Sequence, residues 1–177
     1  MLIVKPSCKI LNTHMFKFKG GIKTTALLAA VVFLVTVDRL LKAWAVSFKP
    51  EINLMGGWFR IVLAKNQGIA FSLPLSGRWL DVVIIIIIIA LIYILILEIK
   101  KTAHLESVLY LAIILGASSN LYDRLKYGHV IDYFSLKYYS VFNVADIMII
   151  IGIIGLLLAE VKTVDKNQKI SQDINPC

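Results

Sequence analysis

The feature that most constrains this chain is a series of four long apolar segments. A helix needs about 20 largely apolar residues to cross a bilayer, and residues 24–46, 80–99, 105–122 and 141–161 meet that requirement. The 177-residue chain is 59% hydrophobic and only 17% charged, whereas soluble domains are usually no more than half apolar. The sequence therefore predicts an α-helical integral membrane protein with four transmembrane helices, forming a single domain over residues 1–177.

The net charge of +8 follows a topological pattern and does not indicate nucleic-acid binding. Lysines are concentrated before the first apolar segment, between the second and third, and after the fourth, as the positive-inside rule describes. We expect cytoplasmic tails at residues 1–23 and 162–177 and outer loops at 47–79 and 123–140. Cations in the outer loops weaken this bias: Lys49, Arg60, Lys65, Arg78, Lys126 and Lys137.

The N-terminal region also has the pattern of a cleavable signal peptide, with a basic stretch, an apolar run and then Ala43-Trp44-Ala45. Asp38, Arg39 and Lys42 would interrupt the region just before such a cleavage site. The apolar pattern also continues to Val46, so we predict an uncleaved first span.

Cysteine and histidine spacing indicates neither a metal site nor a disulfide. Cys8 and Cys177 fall in the predicted tails, and His14, His104 and His129 are scattered. We expect no metal and no cofactor.

Polar residues within the apolar segments gather at one predicted depth, near the outer surface. An ionisable residue in such a segment costs roughly 2.5–3.5 kcal/mol on insertion scales, so the cluster calls for a functional reason. Its members are Asp38 and Lys42 in the first helix, Asn120, Asp123 and Arg124 at the end of the third, and Asn143 and Asp146 at the start of the fourth.

Helical spacing favours a pair of aspartates as the chemical centre. Gly116, Asn120 and Asp123 follow one stripe of a helix, and Asn143 and Asp146 share a face of the next. Two close carboxylates hold a single proton between them. The ionised member can activate water while the protonated member polarises a carbonyl. We predict that Asp123 and Asp146 form this dyad, each oriented by its asparagine.

Other interpretations remain open at this stage. Asp38 and Lys42, four residues apart, are better explained as a structural ion pair. Asp132 lies in a predicted outer loop, where a solvated or turn-stabilising role is ordinary. A small proton-coupled transporter would also contain intramembrane acids, and buried polar pairs also occur in purely structural subunits.

The first outer loop has a mixed pattern. Residues 58–65 are rich in strand-forming side chains, and Asn66-Gln67-Gly68 is typical of a turn. Residues 70–75 are apolar enough for a flap on the membrane surface, although a plain interfacial loop fits equally well.

Four phrases together resemble bacterial lipoprotein signal peptidase, the type II signal peptidase. They are residues 38–42 (DRLLK), 66–71 (NQGIAF), 116–132 (GASSNLYDRLKYGHVID) and 142–146 (FNVAD). The resemblance implies four transmembrane helices with a small extracytoplasmic β-rich cap. It also implies a monomeric intramembrane aspartic endopeptidase of the bacterial inner membrane, with its site at the outer face.

Carried over to this chain, the resemblance makes Asp123 and Asp146 the catalytic pair and Asn120 and Asn143 the residues that orient it. Arg124 would anchor the outer end of the helix or the neighbouring loop. The positions expected to shape the site and its substrate-facing loops are Asp38, Lys42, Asn66 and Gly68, and Asp132 would be structural support. The implied partners are membrane lipid and a prolipoprotein whose cysteine bears a diacylglyceryl group, cleaved just before that cysteine.

Overall fold

Four long helices dominate the structure, as predicted. The computed structural model describes residues 20–68, 77–101 and 104–174, with side chains described between residues 24 and 165. The helices are α1 (Gly20–Phe48), α2 (Arg78–Lys100), α3 (His104–Tyr127) and α4 (Val144–Ile174). Each contains a stretch long and apolar enough to cross a membrane: Thr24–Phe48, Arg78–Lys100, His104–Tyr127 and Val144–Asp165.

Between the helices, the described residues form one antiparallel sheet of four strands in the order β1-β2-β3-β4. The strands are β1 (Glu51–Leu54), β2 (Phe59–Asn66), β3 (Val130–Leu136) and β4 (Ser140–Phe142). The strand predicted at 58–65 is confirmed as β2. The predicted outer loop around Asp132 is instead β3, and α4 begins at Val144 because residues 140–142 belong to β4.

Helix α3 is the centre of the bundle and contacts the other three helices. It packs closely against α4 at Gly116, where a Cβ atom would lie 2.7 Å from the carbonyl oxygen of Ala145. Gly152 on α4 likewise faces Ile113 of α3. The small residues of this helix pair therefore allow close backbone packing, as their sequence pattern predicts. By contrast, the isoleucines of α2 are largely exposed, as expected for a lipid-facing helix.

The sheet packs against one end of the helix bundle. Tyr133 of β3 is fully buried in one cluster with Ala45 of α1 and Met148 of α4. This places β3 against both the first and the fourth helix. Strands β2 and β3 are neighbours in the sheet. They carry Asn66 and Asp132, two of the polar residues that lie beside the helices.

Candidate active site

The site forms where the C-terminal parts of α1 and α3 and the start of α4 meet the sheet. Helix α1 contributes Asp38, Arg39 and Lys42, α3 contributes Ser119, Asn120 and Asp123, and α4 begins beside Asn143 and contains Asp146. Strand β2 ends at Asn66, and β3 contributes Asp132 and Tyr133. Chain segments far apart in sequence are thus connected by polar contacts between their side chains.

Asp123 is enclosed by cations. Its carboxylate accepts one contact of 2.7 Å from Arg39 Nη1 and another of 2.7 Å from Lys42 Nζ. Asp123 and Lys42 are both fully buried. The carboxylate of Asp123 is thus paired with two cations from α1, one buried and one partly exposed.

Asp38, on α1, forms polar contacts with α3, β3 and α4. Lys42 Nζ lies 3.2 Å from its carboxylate, so the predicted ion pair is present. Asp38 also accepts hydrogen bonds from Ser119 Oγ at 2.6 Å, the Tyr133 hydroxyl at 3.1 Å and the Ala145 backbone N–H at 3.2 Å. Because every one of these donors is held by a different packed element, Asp38 fixes the relative positions of α1, α3, β3 and α4.

Asp146 is held at the first turn of α4 by a capping box. Asn143 Oδ1 accepts a hydrogen bond of 2.9 Å from the Asp146 backbone N–H, and Asp146 Oδ2 accepts one of 3.1 Å from the Asn143 backbone N–H. This reciprocal pattern satisfies two backbone donors at a helix start. Asn120 Nδ2 donates a further hydrogen bond of 2.8 Å to Asp146 Oδ1. All donors to Asp146 described here are neutral amides, and the residue is half-buried.

Asp132 lies in a similar environment. It accepts hydrogen bonds from Asn143 Nδ2 at 2.6 Å and from Asn66 Nδ2 at 3.0 Å. Burial, assisted by the negative charge of Asp146, raises the pKa of Asp132 to about 6. The two asparagine donors oppose this rise without cancelling it. Asp132 therefore binds a proton more readily than an ordinary aspartate does.

The structure therefore groups the acids differently from the sequence-based prediction. Asp132 and Asp146 share Asn143 as a common donor, whereas Asp123 reaches Asp146 through Lys42 and Asn120. Asn120 accepts a hydrogen bond from Lys42 at 2.8 Å and donates to Asp146, so it does not orient Asp123 as expected.

Hydrogen bonds hold the segment that follows β2. Arg124 donates hydrogen bonds to the carbonyl oxygens of Gln67, at 3.2 Å, and Gly68, so it anchors the neighbouring loop. Asn66 Oδ1 accepts a hydrogen bond of 3.1 Å from the Gly68 N–H, which closes the predicted turn. The predicted flap at residues 70–75 lies outside the described residues.

Sequence reasoning missed three contributors. Arg39 stands within the same phrase as Asp38 and Lys42 but was not assigned a role, although it contacts Asp123. Ser119 was counted only as a small residue. Tyr133 follows Asp132 in a segment of alternating character, and that alternation was the available signal for a strand. Burial and the adjacent Asp38 raise the pKa of Tyr133 above its ordinary value, so its hydroxyl remains a neutral donor.

Comparison with known proteins identifies the family of this chain. The sequence model of the signal peptidase (SPase) II family matches residues 30–162. This chain belongs to the signal peptidase II family. That membership identifies a protease, and together with the four candidate spans it identifies a multi-pass protein of the bacterial inner membrane.

Relatives in the signal peptidase II family are similar over most of their length. A lipoprotein signal peptidase from Dichelobacter nodosus is 39% identical over 132 residues, covering 70% of this chain and 85% of the relative. Another, from Pseudomonas syringae pv. tomato, is 33% identical over 159 residues, covering 81% and 88%. A bacterial membrane enzyme solved by the in meso method at 2.3 Å resolution superposes with a TM-score of 0.67 at 26% identity, covering 82% of this chain and 92% of that one.

No group of three or more His, Cys, Asp or Glu side chains among the described residues is arranged to hold a metal ion.

Proposed function

We propose that the protein is an aspartic endopeptidase that removes signal peptides from lipid-modified prolipoproteins, with Asp132 and Asp146 as its catalytic pair. The relatives named above are lipoprotein signal peptidases, which supports prolipoproteins as the substrate class. Cleavage just before a diacylglyceryl-modified cysteine is the reaction that we expect. The observation that carries the choice of pair is the shared Asn143, which donates to both carboxylates.

The charge environment supports Asp132 over Asp123. An aspartic dyad must pass one proton between its members, so neither member can be permanently neutralised by a cation. Asp123 accepts contacts from both Arg39 and Lys42. Asp132 and Asp146 accept hydrogen bonds from neutral asparagines instead. Asp123 then acts as a structural anion that holds two helices together.

Asp132 and Asp146 take different roles in the proposed reaction because their environments differ. Asp132, with its raised pKa, enters the reaction protonated and polarises the scissile carbonyl. Asp146 is the more accessible of the two and takes a proton from the attacking water. In the second half of the reaction the carbon–nitrogen bond breaks and the proton held by Asp146 passes to the leaving nitrogen. Asp132 takes back, from the oxygen of the tetrahedral intermediate, the proton that it supplied to the carbonyl.

Placement in the membrane suits a lipid-anchored substrate. The lysine distribution supports cytoplasmic termini, which puts the outer ends of α1 and α3 and the start of α4 at the external face. Acyl chains that remain in the bilayer confine the substrate to two dimensions, and this raises its effective concentration at the site.

The test uses purified full-length protein in lipid nanodiscs with matched precursor peptides, one bearing a diacylglyceryl cysteine and one unmodified. We expect cleavage before the modified cysteine and little cleavage of the unmodified peptide. Asp132→Asn and Asp146→Asn should each lower turnover by about 10²–10⁴-fold, the usual contribution of general acid–base catalysis. Asp165→Asn, far along α4, is the matched control and should leave turnover unchanged. Equal cleavage of both peptides would refute the substrate class.

A further inference from the structure

The two turns at the far end of the sheet meet and form a single aromatic tip. We define the sheet tip as residues 54–58 between β1 and β2 together with residues 136–139 between β3 and β4. The Lys137 backbone N–H donates a hydrogen bond of 2.9 Å to the Trp58 carbonyl oxygen. The Trp58 and Tyr138 rings meet edge to face with centroids 6.2 Å apart. The two turns are therefore held together as one surface.

This sheet tip exposes large apolar and aromatic side chains. The exposed fractions are 80% for Met55, 59% for Trp58, 81% for Tyr138 and 79% for Tyr139. Turns that face water are usually built from Gly, Asn, Asp, Ser and Pro. No acidic residue occurs from position 52 to 66 or from 133 to 145. A contiguous exposed patch of this kind marks an interaction surface.

Backbone conformation supports a role for these side chains. Met55 has φ of 49° and Tyr138 has φ of 70°, a region that side-chain-bearing residues adopt at a conformational cost. Glycine would fit both positions without that cost. Met55 and Tyr138 thus place large side chains at positions where the backbone conformation favours glycine.

The depth of the sheet identifies the surface that the tip can reach. The Tyr133 hydroxyl contacts Asp38, which lies ten residues before the end of α1 at Phe48, or about 15 Å along the helix axis. Tyr138 follows Tyr133 by five residues, which an extended strand covers in about 16 Å. The tip therefore extends no farther outward than approximately the level of the outer end of α1, where the span ends.

We propose that the sheet tip inserts into the interfacial region of the outer leaflet. Trp and Tyr are enriched at this depth because their rings are apolar and their edges are polar. The Lys137 ammonium, which lies 5.9 Å from the Trp58 ring centroid and 5.0 Å from that of Tyr138, is placed to meet lipid phosphates. The sheet is then held at the membrane from its tip as well as by the helices. This inference is independent of the identity of the catalytic pair.

Spin-label accessibility in lipid vesicles without substrate tests the proposal. Full-length protein carrying Cys8→Ser and Cys177→Ser receives one label at Met55→Cys or at Tyr138→Cys. Ile86→Cys on the exposed face of α2 is the membrane reference, and a free nitroxide in buffer is the aqueous limit. We expect both tip labels to favour collisions with oxygen over a water-soluble nickel complex, at a depth between the two references. Lys137→Glu should move the labels toward water in vesicles rich in anionic lipid.

Three results would overturn the inference. The first is nickel accessibility at the tip equal to the aqueous limit. The second is aqueous accessibility that falls only when a precursor peptide is added, which would identify the tip as a substrate contact. The third is spin–spin broadening that disappears on dilution with unlabelled protein, which would place a second copy of the chain on this surface.

Discussion

Asn143 holds Asp132 through a hydrogen bond of 2.6 Å from its side-chain amide, and the same asparagine caps the helix that carries the neighbouring acid. A single residue thus fixes a strand and a helix start relative to each other. Two carboxylates that would otherwise repel are held at a defined separation by neutral donors.

Replacing Asn143 tests this role. Asn143→Ala removes the cap oxygen and the donor to Asp132, so we expect the free energy of unfolding to fall by about 0.5–2 kcal/mol, the usual cost of losing a cap. Turnover should fall further, by about 10²-fold, because small displacements of catalytic groups are costly. Thermal unfolding and initial cleavage rates measure the two effects. Asn53→Ala on the exposed strand β1 is the control, and an equal effect of both variants would contradict the account.

Removing Asp123 should affect the stability of the fold more than the rate of cleavage by the folded protein. Asp123→Asn leaves Lys42 and Arg39 without their shared anion, and breaking a buried ion pair costs about 3–5 kcal/mol. We expect a large drop in the unfolding temperature in detergent. Arg39→Gln should cost less because its side chain is 32% exposed. An Asp123→Asn variant as stable as the parent would show that the two cations do not depend on this carboxylate.

The pH dependence follows from Asp132. Its pKa of about 6 lies above the ordinary value of 3.8, so the folded protein holds this proton more tightly than the unfolded chain. The stability from this group is fully present below the unfolded pKa and is lost as the pH rises through about 6. Activity that needs a protonated Asp132 should fall over the same range on the alkaline side.

Asn66 provides a way to shift that profile. Its hydrogen bond to Asp132 lowers the pKa of the acid, so Asn66→Ala should raise this pKa further and move the alkaline limb of kcat/KM to higher pH. Profiles of the parent and the variant, recorded with the same lipidated peptide, give the comparison. A shift toward lower pH would mean that another group controls this limb.

The contact between Gly116 and Ala145 predicts a steric effect. A Cβ atom at position 116 would lie 2.7 Å from the Ala145 carbonyl oxygen and 3.0 Å from Ile149 Cγ1. Gly116→Ala should therefore force α4 outward and destabilise the protein by about 1–3 kcal/mol, as overpacking does. Because Asp146 follows Ala145 directly, turnover should fall with stability. Ser118→Ala on the same helix is the matched control for both measurements.

Much of the architecture could be predicted from the sequence. Long apolar runs specify membrane helices because the bilayer imposes their length, and residues 58–65 had the composition of a strand. Strand β3 was harder to recognise, since residues 130–136 mix buried apolar residues with the polar Asp132 and Ser135. These two side chains are buried only because other residues form hydrogen bonds with them. Such partners come from distant segments that local patterns do not reveal.

The proposed catalytic pair illustrates the same limit. Asp123 has the more suggestive local setting, within a helix and three residues after Asn120. Its two cations come from α1, about 80 residues earlier in the chain, and no local spacing indicates that they converge on it. Asp132 was the third acid considered from the sequence, and the case for it rests on contacts that the fold supplies, beside Asn143 and under the influence of Asp146.

The most direct test of the central claim is single-turnover cleavage of a lipidated precursor by Asp132→Asn and Asp123→Asn, each normalised to folded protein in nanodiscs. The account predicts that cleavage by folded Asp132→Asn is slowed about 10²–10⁴-fold, and that the fraction of Asp123→Asn that remains folded cleaves measurably faster than this. Retained cleavage by Asp132→Asn, together with complete loss in folded Asp123→Asn, would contradict it.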